Sequence, residues 1–262
     1  KKINLKIIDF FVILSPLSFF YTAFEQKASG RKEIIFLSLL SLFIIILKKI
    51  PQNKQIFIII LFTTITSLTH SGLIFYNIYF LILFACFNYK LGIKKIIFKS
   101  SPFIFSSVVI LIFISLNSTL SEIELETLCQ SVSAYLPNCG EGDYINTLTW
   151  GLKNNFEGNK FFWFSTNYFI SYFLSFIFCF IFFIYISIKS KIKNLKFIYL
   201  VFLCLVSTLP LYFIGADYGR YLHVSYISSV LIYYFLLGEK IIKRKENVFN
   251  IKPILIIPVL VI

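Results

Sequence analysis

Residues 73–99 read LIFYNIYFLILFACFNYKLGIKKIIFK, an uncharged run from Leu73 to Tyr89 followed by a connection that carries Lys90, Lys94, Lys95 and Lys99. An apolar run of this length closed by a basic segment is the pattern of a membrane-crossing helix and its loop. The alternation repeats along the chain. Apolar runs at 7–24, 34–47, 56–70, 73–89, 102–118, 161–188, 197–215 and 221–238 are separated by charged or helix-breaking residues, and another opens near 253. These predict an all-α fold, a polytopic transmembrane helical bundle of about eight or nine spans, since backbone in lipid must satisfy its own hydrogen bonds. The whole of 1–262 reads as one transmembrane domain, with a larger periplasmic loop at 119–160.

Composition agrees. Hydrophobic residues make up 58% of the 262 positions and 33 are Phe, more apolar surface than one water-soluble core can hide. Lipid is therefore the expected solvent and partner. The net charge of +13 would suit a nucleic-acid binder, but the basic residues fall in short runs between apolar stretches, so nucleic acid is not an expected partner. The chain has no Met, even at position 1, and stops inside the apolar run Ile254–Ile262, which reads as part of a longer chain. Lys1–Lys6 and the run after it lack a small-residue cleavage pattern and read as a retained first span.

Several runs are short. Ile56–His70 would reach only about 22 Å as a helix against a hydrocarbon core of about 30 Å, so such segments borrow flanking polar residues, thin the bilayer or are re-entrant.

Charge sets the expected orientation. If Lys1–Lys6, Lys48–Lys54, Lys90–Lys99, Lys189–Lys196 and Lys240–Lys252 all face the cytoplasm, the spans alternate without forcing and that side holds 19 of the 25 Lys and Arg residues. The protein is then expected in a bacterial inner membrane with its N-terminus cytoplasmic. The outer side receives Glu25–Glu33, the turn His70-Ser71-Gly72, the segment Thr119–Lys160 and the turn Gly215–Arg220. Short helices are expected within that segment around Glu122–Leu136 and Tyr144–Leu152.

Two outer turns concentrate the chemistry. His70 ends the third span, where an ionisable side chain needs water, a partner or a ligand. Its imidazole can act as a general base or sit as a cation beside phosphate, and the plainer reading is a polar residue in a tight turn. Asp217-Tyr218-Gly219-Arg220-Tyr221 lies between two apolar runs, which pins Asp217 and Arg220 at the membrane edge. Asp217, Arg220 and His223 recur every three residues and share one side of a helix that begins near Asp217. Arg220 there can hold a phosphate or carboxylate through paired hydrogen bonds, with Asp217 fixing its fork; the plainer reading is an ion pair that closes the turn.

Other outer residues are weighed beside them. Glu141 and Asp143, flanked by glycines, offer carboxylates on a loop that can reach the site, although most acidic runs are solvated surface. Glu25, Lys27, Arg31, Lys32 and Glu33 form a mixed-sign loop that can grip an anionic headgroup or simply be hydrated. Cys129 and Cys139 both fall in the outer segment and can pair if that side is oxidising, whereas Cys86, Cys179 and Cys204 fall in apolar runs. No histidine or second cysteine pair accompanies Cys129 and Cys139, so no metal site is expected. No Walker loop, zinc-protease motif or dinucleotide fingerprint is present, and no cofactor is expected.

The strings His70-Ser71-Gly72 and Asp217-Tyr218-Gly219-Arg220-Tyr221 resemble paired outer turns of bacterial multi-span proteins of surface polysaccharide assembly, which read His-Glu-Gly and Asp-Trp-Gly-Arg-Trp. Here Ser71 replaces Glu, so the first turn brings no carboxylate, while Tyr218 and Tyr221 replace Trp and keep an aromatic frame around Arg220. In organisation the chain resembles the O-antigen and capsule repeat-unit polymerases. That resemblance implies glycosyl transfer on the outer face with a polyprenyl-pyrophosphate-linked glycan as substrate, no nucleotide sugar, and polysaccharide assembly proteins as partners. It makes Arg220 the pyrophosphate clamp, Asp217 its orienter, and His70 the base or second phosphate ligand, with Tyr218, Tyr221, His223, Glu141 and Asp143 as substrate contacts. A transporter, a lipid-linked oligosaccharide flippase and a non-catalytic assembly subunit are the alternative readings.

All of this depends on sidedness. Cysteine labelling from one side of intact cells is expected to reach position 220 and the 90–99 connection from opposite compartments; labelling both from the same compartment would refute the two-turn site.

Overall fold

The computed structural model describes residues 5–19, 32–117, 119, 121–132, 157, 166–214 and 218–244. The chain is mostly helical. Its helices are α1 (Ile7–Ile13), α2 (Glu33–Ile46), α3 (Gln52–Thr69), α4 (Ile78–Phe87), α5 (Ile93–Leu116), α6 (Glu122–Val132), α7 (Thr166–Ile188), α8 (Phe197–Ile214) and α9 (Tyr218–Gly238). Short 3-10 helices cover Pro16–Phe19, Ser71–Tyr76 and Tyr89–Leu91. Three short strands, β1 (Ser190–Ile192), β2 (Leu195–Lys196) and β3 (Lys243–Arg244), form a small sheet in the order β2-β1-β3 at the lysine-rich segments, beside the expected helices.

Among the described residues two helices are long and apolar enough to cross a membrane: α5 and α9, with mean hydropathies of 2.1 and 1.3 over their most apolar stretches. Glu33–Ile46, Ser71–Phe87, Phe176–Ile188 and Phe197–Phe213 are apolar but shorter. The count of eight or nine spans therefore reduces here to two candidates by length. The run from residue 253 and the expected helix at 144–152 lie outside the described residues.

Prolines and polar residues explain where the apolar runs depart from expectation. The run at 7–24 holds no single helix as far as it is described, because Pro16 lacks the N–H that would bond Val12 four residues back. That carbonyl accepts instead from the Tyr226 hydroxyl of α9 at 2.7 Å. The chain resumes as a 3-10 turn. In α5, Pro102 likewise cannot bond Phe98, whose carbonyl accepts from the Ser101 hydroxyl at 2.8 Å, and the helix continues through it. This helix starts at Ile93, nine residues before the apolar run, because Gly92 at φ 82° turns the chain into it. The run 73–89 divides at Asn77, whose amide donates to Ser67 Oγ at 3.0 Å and whose carbonyl oxygen accepts from Thr66 Oγ1 at 3.3 Å. Helix α3 begins at Gln52, four residues early, and its 18 residues span about 27 Å. Ser121 and Glu124 form a capping box that starts α6, with Ser121 N–H donating to Glu124 at 2.8 Å.

Helix α9 is the centre of the packing. It lies against α2, α4, α7, α8 and the 16–19 turn, and a majority of its residues are buried. Aromatic rings fill the contacts edge to face, Phe36 against Phe80 at 5.5 Å and Phe180 against Tyr226 at 4.9 Å between centroids. By contrast α5 packs chiefly on α3 and presents Phe98, Phe105 and Leu116 at 80%, 72% and 78% exposure. Such a ridge of large apolar side chains is unusual for a surface in water.

The far end of α9 is closed by a reverse turn. Lys240 takes φ 61°, its N–H reaches Leu237 and that of Ile241 reaches Leu236, the pairing of a Schellman motif. The turn sends the chain into β3, which pairs with β1 through Ser190↔Arg244 and Lys191↔Lys243. Arg244 then meets Asp9 of α1 in a two-pronged bond, Nη1 to Oδ1 at 2.6 Å and Nη2 to Oδ2 at 3.0 Å. Tyr234 donates to the same carboxylate at 2.9 Å and the Lys6 N–H at 2.6 Å, so an Asp with no exposed surface has both oxygens satisfied. Lys48 pairs with Glu239, and Lys193 lies over the Tyr89 ring at 5.2 Å, so four lysine-rich segments gather at this end of α9.

Removing one partner of such a pair leaves the other charge stranded. Asp9→Ala is expected to lower unfolding free energy in detergent by about 3–5 kcal/mol, and Lys48→Ala, in a half-exposed pair, by under about 1 kcal/mol. Denaturant titrations of the two variants check this.

Candidate functional site

The opposite end of α9 begins at Tyr218, two residues before Arg220. Glu33 is the first residue of α2, preceded by Lys32 and followed by an uncharged, mostly apolar run. A carboxylate at a helix start is favoured by the partial positive charge of the unpaired N–H groups there. Arg220 Nη1 donates to Glu33 Oε1 at 3.2 Å across 187 residues of sequence, with side-chain exposures of 13% and 7%. The partner shown for Arg220 is therefore Glu33. Asp217, expected as its orienter, lies outside the described residues, as do Glu141, Asp143 and Cys139. Cys129 is disulfide-bonded, while Cys86, Cys179 and Cys204 are free thiols.

His70 joins this end. It closes α3 in extended conformation, φ −156°, and its N–H still reaches Thr66 at 3.1 Å. Its ring folds back so that Nδ1 accepts the Gly72 N–H at 3.0 Å, capping the 3-10 helix that follows. Gly72 leaves room for this. A Cβ there would stand 3.2 Å from the His70 ring and 3.1 Å from Leu211 of α8. The imidazole is exposed, yet enough protein surrounds it to lower its pKa below the usual 6.5; Glu33 acts to raise it, while Lys32 and Arg220 lower it further. The ring is thus within electrostatic reach of Glu33 and Arg220.

The aromatic frame packs behind these groups. Tyr218 is buried with its ring 5.4 Å from that of Tyr212, and Tyr221 meets Tyr212 edge to face at 5.4 Å. Tyr76 donates to the Tyr221 carbonyl at 3.4 Å, and Ser207 of α8 donates to the Phe75 carbonyl at 3.2 Å, which fixes the 71–76 turn against α8 and α9. Tyr218 and Tyr221 are thereby built into packing around the cluster. His223, expected as a substrate contact, is buried one turn deeper, with Nδ1 bonded to the Leu17 carbonyl in the 16–19 turn. It joins α9 to the 16–19 turn.

Charge asymmetry along the chain assigns His70 and Arg220 to one side, and the structure places them at one end of α9 with Glu33. In sequence Glu33 belongs to a mixed-sign loop. The signal that singles it out is position: it is the last charge before the apolar α2, at the same edge as Arg220 and of opposite sign. No group of three or more His, Cys, Asp or Glu able to hold a metal occurs among the described residues. No family model matches this chain, and no curated protein or solved structure does either.

The geometry brings together a guanidinium, a carboxylate and an imidazole at one end of α9, an arrangement suited to an anionic ligand and to proton movement. A double-mutant cycle of Glu33→Gln with Arg220→Gln is expected to show coupling of about 1–3 kcal/mol in unfolding free energy, against less than about 0.5 kcal/mol for Glu33→Gln with Arg244→Gln.

Proposed function

We propose that this chain is a polytopic protein of a bacterial inner membrane, its lysine-rich end cytoplasmic, and that Arg220, Glu33 and His70 form a site at the outer surface for a polyprenyl-pyrophosphate-linked glycan. The reaction is glycosyl transfer, the joining of repeat units in surface polysaccharide assembly. The observation that carries this reading is the buried Arg220–Glu33 pair within electrostatic reach of His70, at the end of α9 away from the lysine-rich segments. The exposed apolar ridge of α5 supports a lipid surrounding, and the clustering of Lys48, Lys193, Lys243 and Arg244 at one end supports the sidedness.

The chemistry follows from where charge develops. As the acceptor hydroxyl attacks the anomeric carbon, the bond to the pyrophosphate oxygen breaks and negative charge grows on that leaving group. A guanidinium already held in place by Glu33 stabilises it without reorganising. The proton released by the acceptor passes to a nearby acceptor group of the protein or to water. The energy of the reaction resides in the pyrophosphate linkage, which removes the need for a nucleotide.

A second reading, a transporter or lipid-linked oligosaccharide flippase, is favoured by the interrupted segments. The chain breaks helical structure at Ser15–Pro16 against α9 and passes from 3-10 to α geometry at Asn77, and broken helices in packed pairs are a feature of transporter sites. Vesicles containing the purified protein and a lipid-pyrophosphate-linked oligosaccharide separate the readings. Elongation is the expected result; translocation without elongation supports the flippase, and neither supports an assembly subunit. Arg220→Lys keeps charge and loses the planar fork, and is expected to reduce long-chain polymer more than about tenfold at unchanged protein level. Polymer of normal length from that variant rejects the clamp.

A further inference from the structure

The roles left open for His70 are proton acceptor and ligand to phosphate, and its turn distinguishes them. The Gly72 N–H is a donor and can only face a lone pair, so the ring nitrogen that receives it, Nδ1, carries no proton. In a neutral imidazole the proton then resides on Nε2. The opposite tautomer would set two N–H groups against each other across 3.0 Å. The ring is also hemmed at this point: a Cβ at residue 72 would stand 3.1 Å from Leu211 and 3.2 Å from the imidazole, so a glycine there leaves the ring its room to fold back.

We propose that His70 is a hydrogen-bond donor, through Nε2–H, to an anionic oxygen of the ligand that Arg220 binds, and that it does not accept the proton of the reaction. This rests on the pyrophosphate reading above and assigns the site its ligand chemistry: a pyrophosphate oxygen that receives a cationic donor from α9 and a neutral donor from the end of α3. The neutral donor suits the location. Burial of the ring resists a positive charge there, with Lys32 and Arg220 acting the same way and Glu33 against them, whereas a neutral N–H adds a directed bond without adding a charge.

Two substitutions divide the ring's functions. Asn at position 70 keeps an acceptor near Nδ1 and so keeps the cap on Gly72, but it lacks a group that reaches as far as Nε2. Gln keeps a donor near Nε2 and gives up the cap. The probe is farnesyl pyrophosphate, with farnesol as the uncharged control and inorganic pyrophosphate as the lipid-free one, binding to the full chain in nanodiscs. Farnesyl pyrophosphate is expected to bind the wild type and farnesol not. His70→Asn is expected to weaken that binding about tenfold and His70→Gln by no more than about threefold, the loss of one hydrogen bond to a charged oxygen.

The reverse order, Gln weak and Asn normal, assigns His70 to capping alone and overturns the proposal, as does equal loss or equal retention in both. Failure of the wild type to bind either pyrophosphate probe removes the underlying reading, a result separate from the order of the variants. Tighter binding of farnesyl than of inorganic pyrophosphate identifies a lipid-borne anion, and the reverse a free one; the order of the two variants must hold for whichever binds. Nitrogen NMR of the wild-type imidazole with ligand bound tests the assignment even if a variant does not fold: a proton on Nε2 supports it and a proton on Nδ1 overturns it.

Discussion

A charge buried among apolar helices must meet its opposite, and this chain satisfies that condition at both ends of one helix. Asp9 with Arg244 at one end and Glu33 with Arg220 at the other bracket α9, each pair joining segments far apart in sequence. Desolvating an ion is costly enough that neither arrangement can be casual. The two pairs differ in exposure. Asp9 receives four hydrogen bonds and is wholly enclosed, which is how a structural pair is finished. Arg220 and Glu33 keep 13% and 7% of their side chains exposed, within electrostatic reach of an exposed histidine.

The second constraint is the accounting of backbone carbonyls. Pro16 and Pro102 each free one, and in both cases a hydroxyl fills the gap, from Tyr226 on a different helix and from Ser101 next door. The distinction matters for architecture. A carbonyl satisfied locally leaves its helix independent, and α5 stays peripheral. A carbonyl satisfied from α9 ties the first segment to the centre, as do His223 to Leu17 and Tyr79 to the Ser225 carbonyl. Tyrosine serves here because its ring packs in apolar surroundings while its hydroxyl reaches a polar target.

Much of this architecture is legible in the amino-acid sequence. The apolar runs locate α2, α8 and α9 within three residues, because a helix flanked by charge announces both its ends. Charge asymmetry assigns His70 and Arg220 a common side in the sequence reading, and only the packing brings them within electrostatic reach of each other. Other features are hidden for physical reasons. Nothing local marks Glu33 as the partner of Arg220, since their contact depends on how α2 and α9 pack. The strands leave no trace because Ser190–Ile192 and Lys243–Arg244 are too short to show a period of two, and they exist through pairing with each other. Asn77 reads as one polar residue in an apolar run, and its bonds to Thr66 and Ser67 depend on how the neighbouring helix packs. For Tyr218 and His223, spacing along a helix indicates the side but not the depth.

The ladder between β1 and β3 holds the exits of α7 and α9 together by main-chain bonds. One helix cannot slip past the other without stripping that ladder and the Schellman turn behind it. Relative motion of the two is restricted to a swing about the strapped end, with the greatest travel at the opposite tips. Arg220 sits at such a tip, about 28 Å along the lever from Glu239, so a tilt of a few degrees at the strap becomes an ångström or more at the guanidinium.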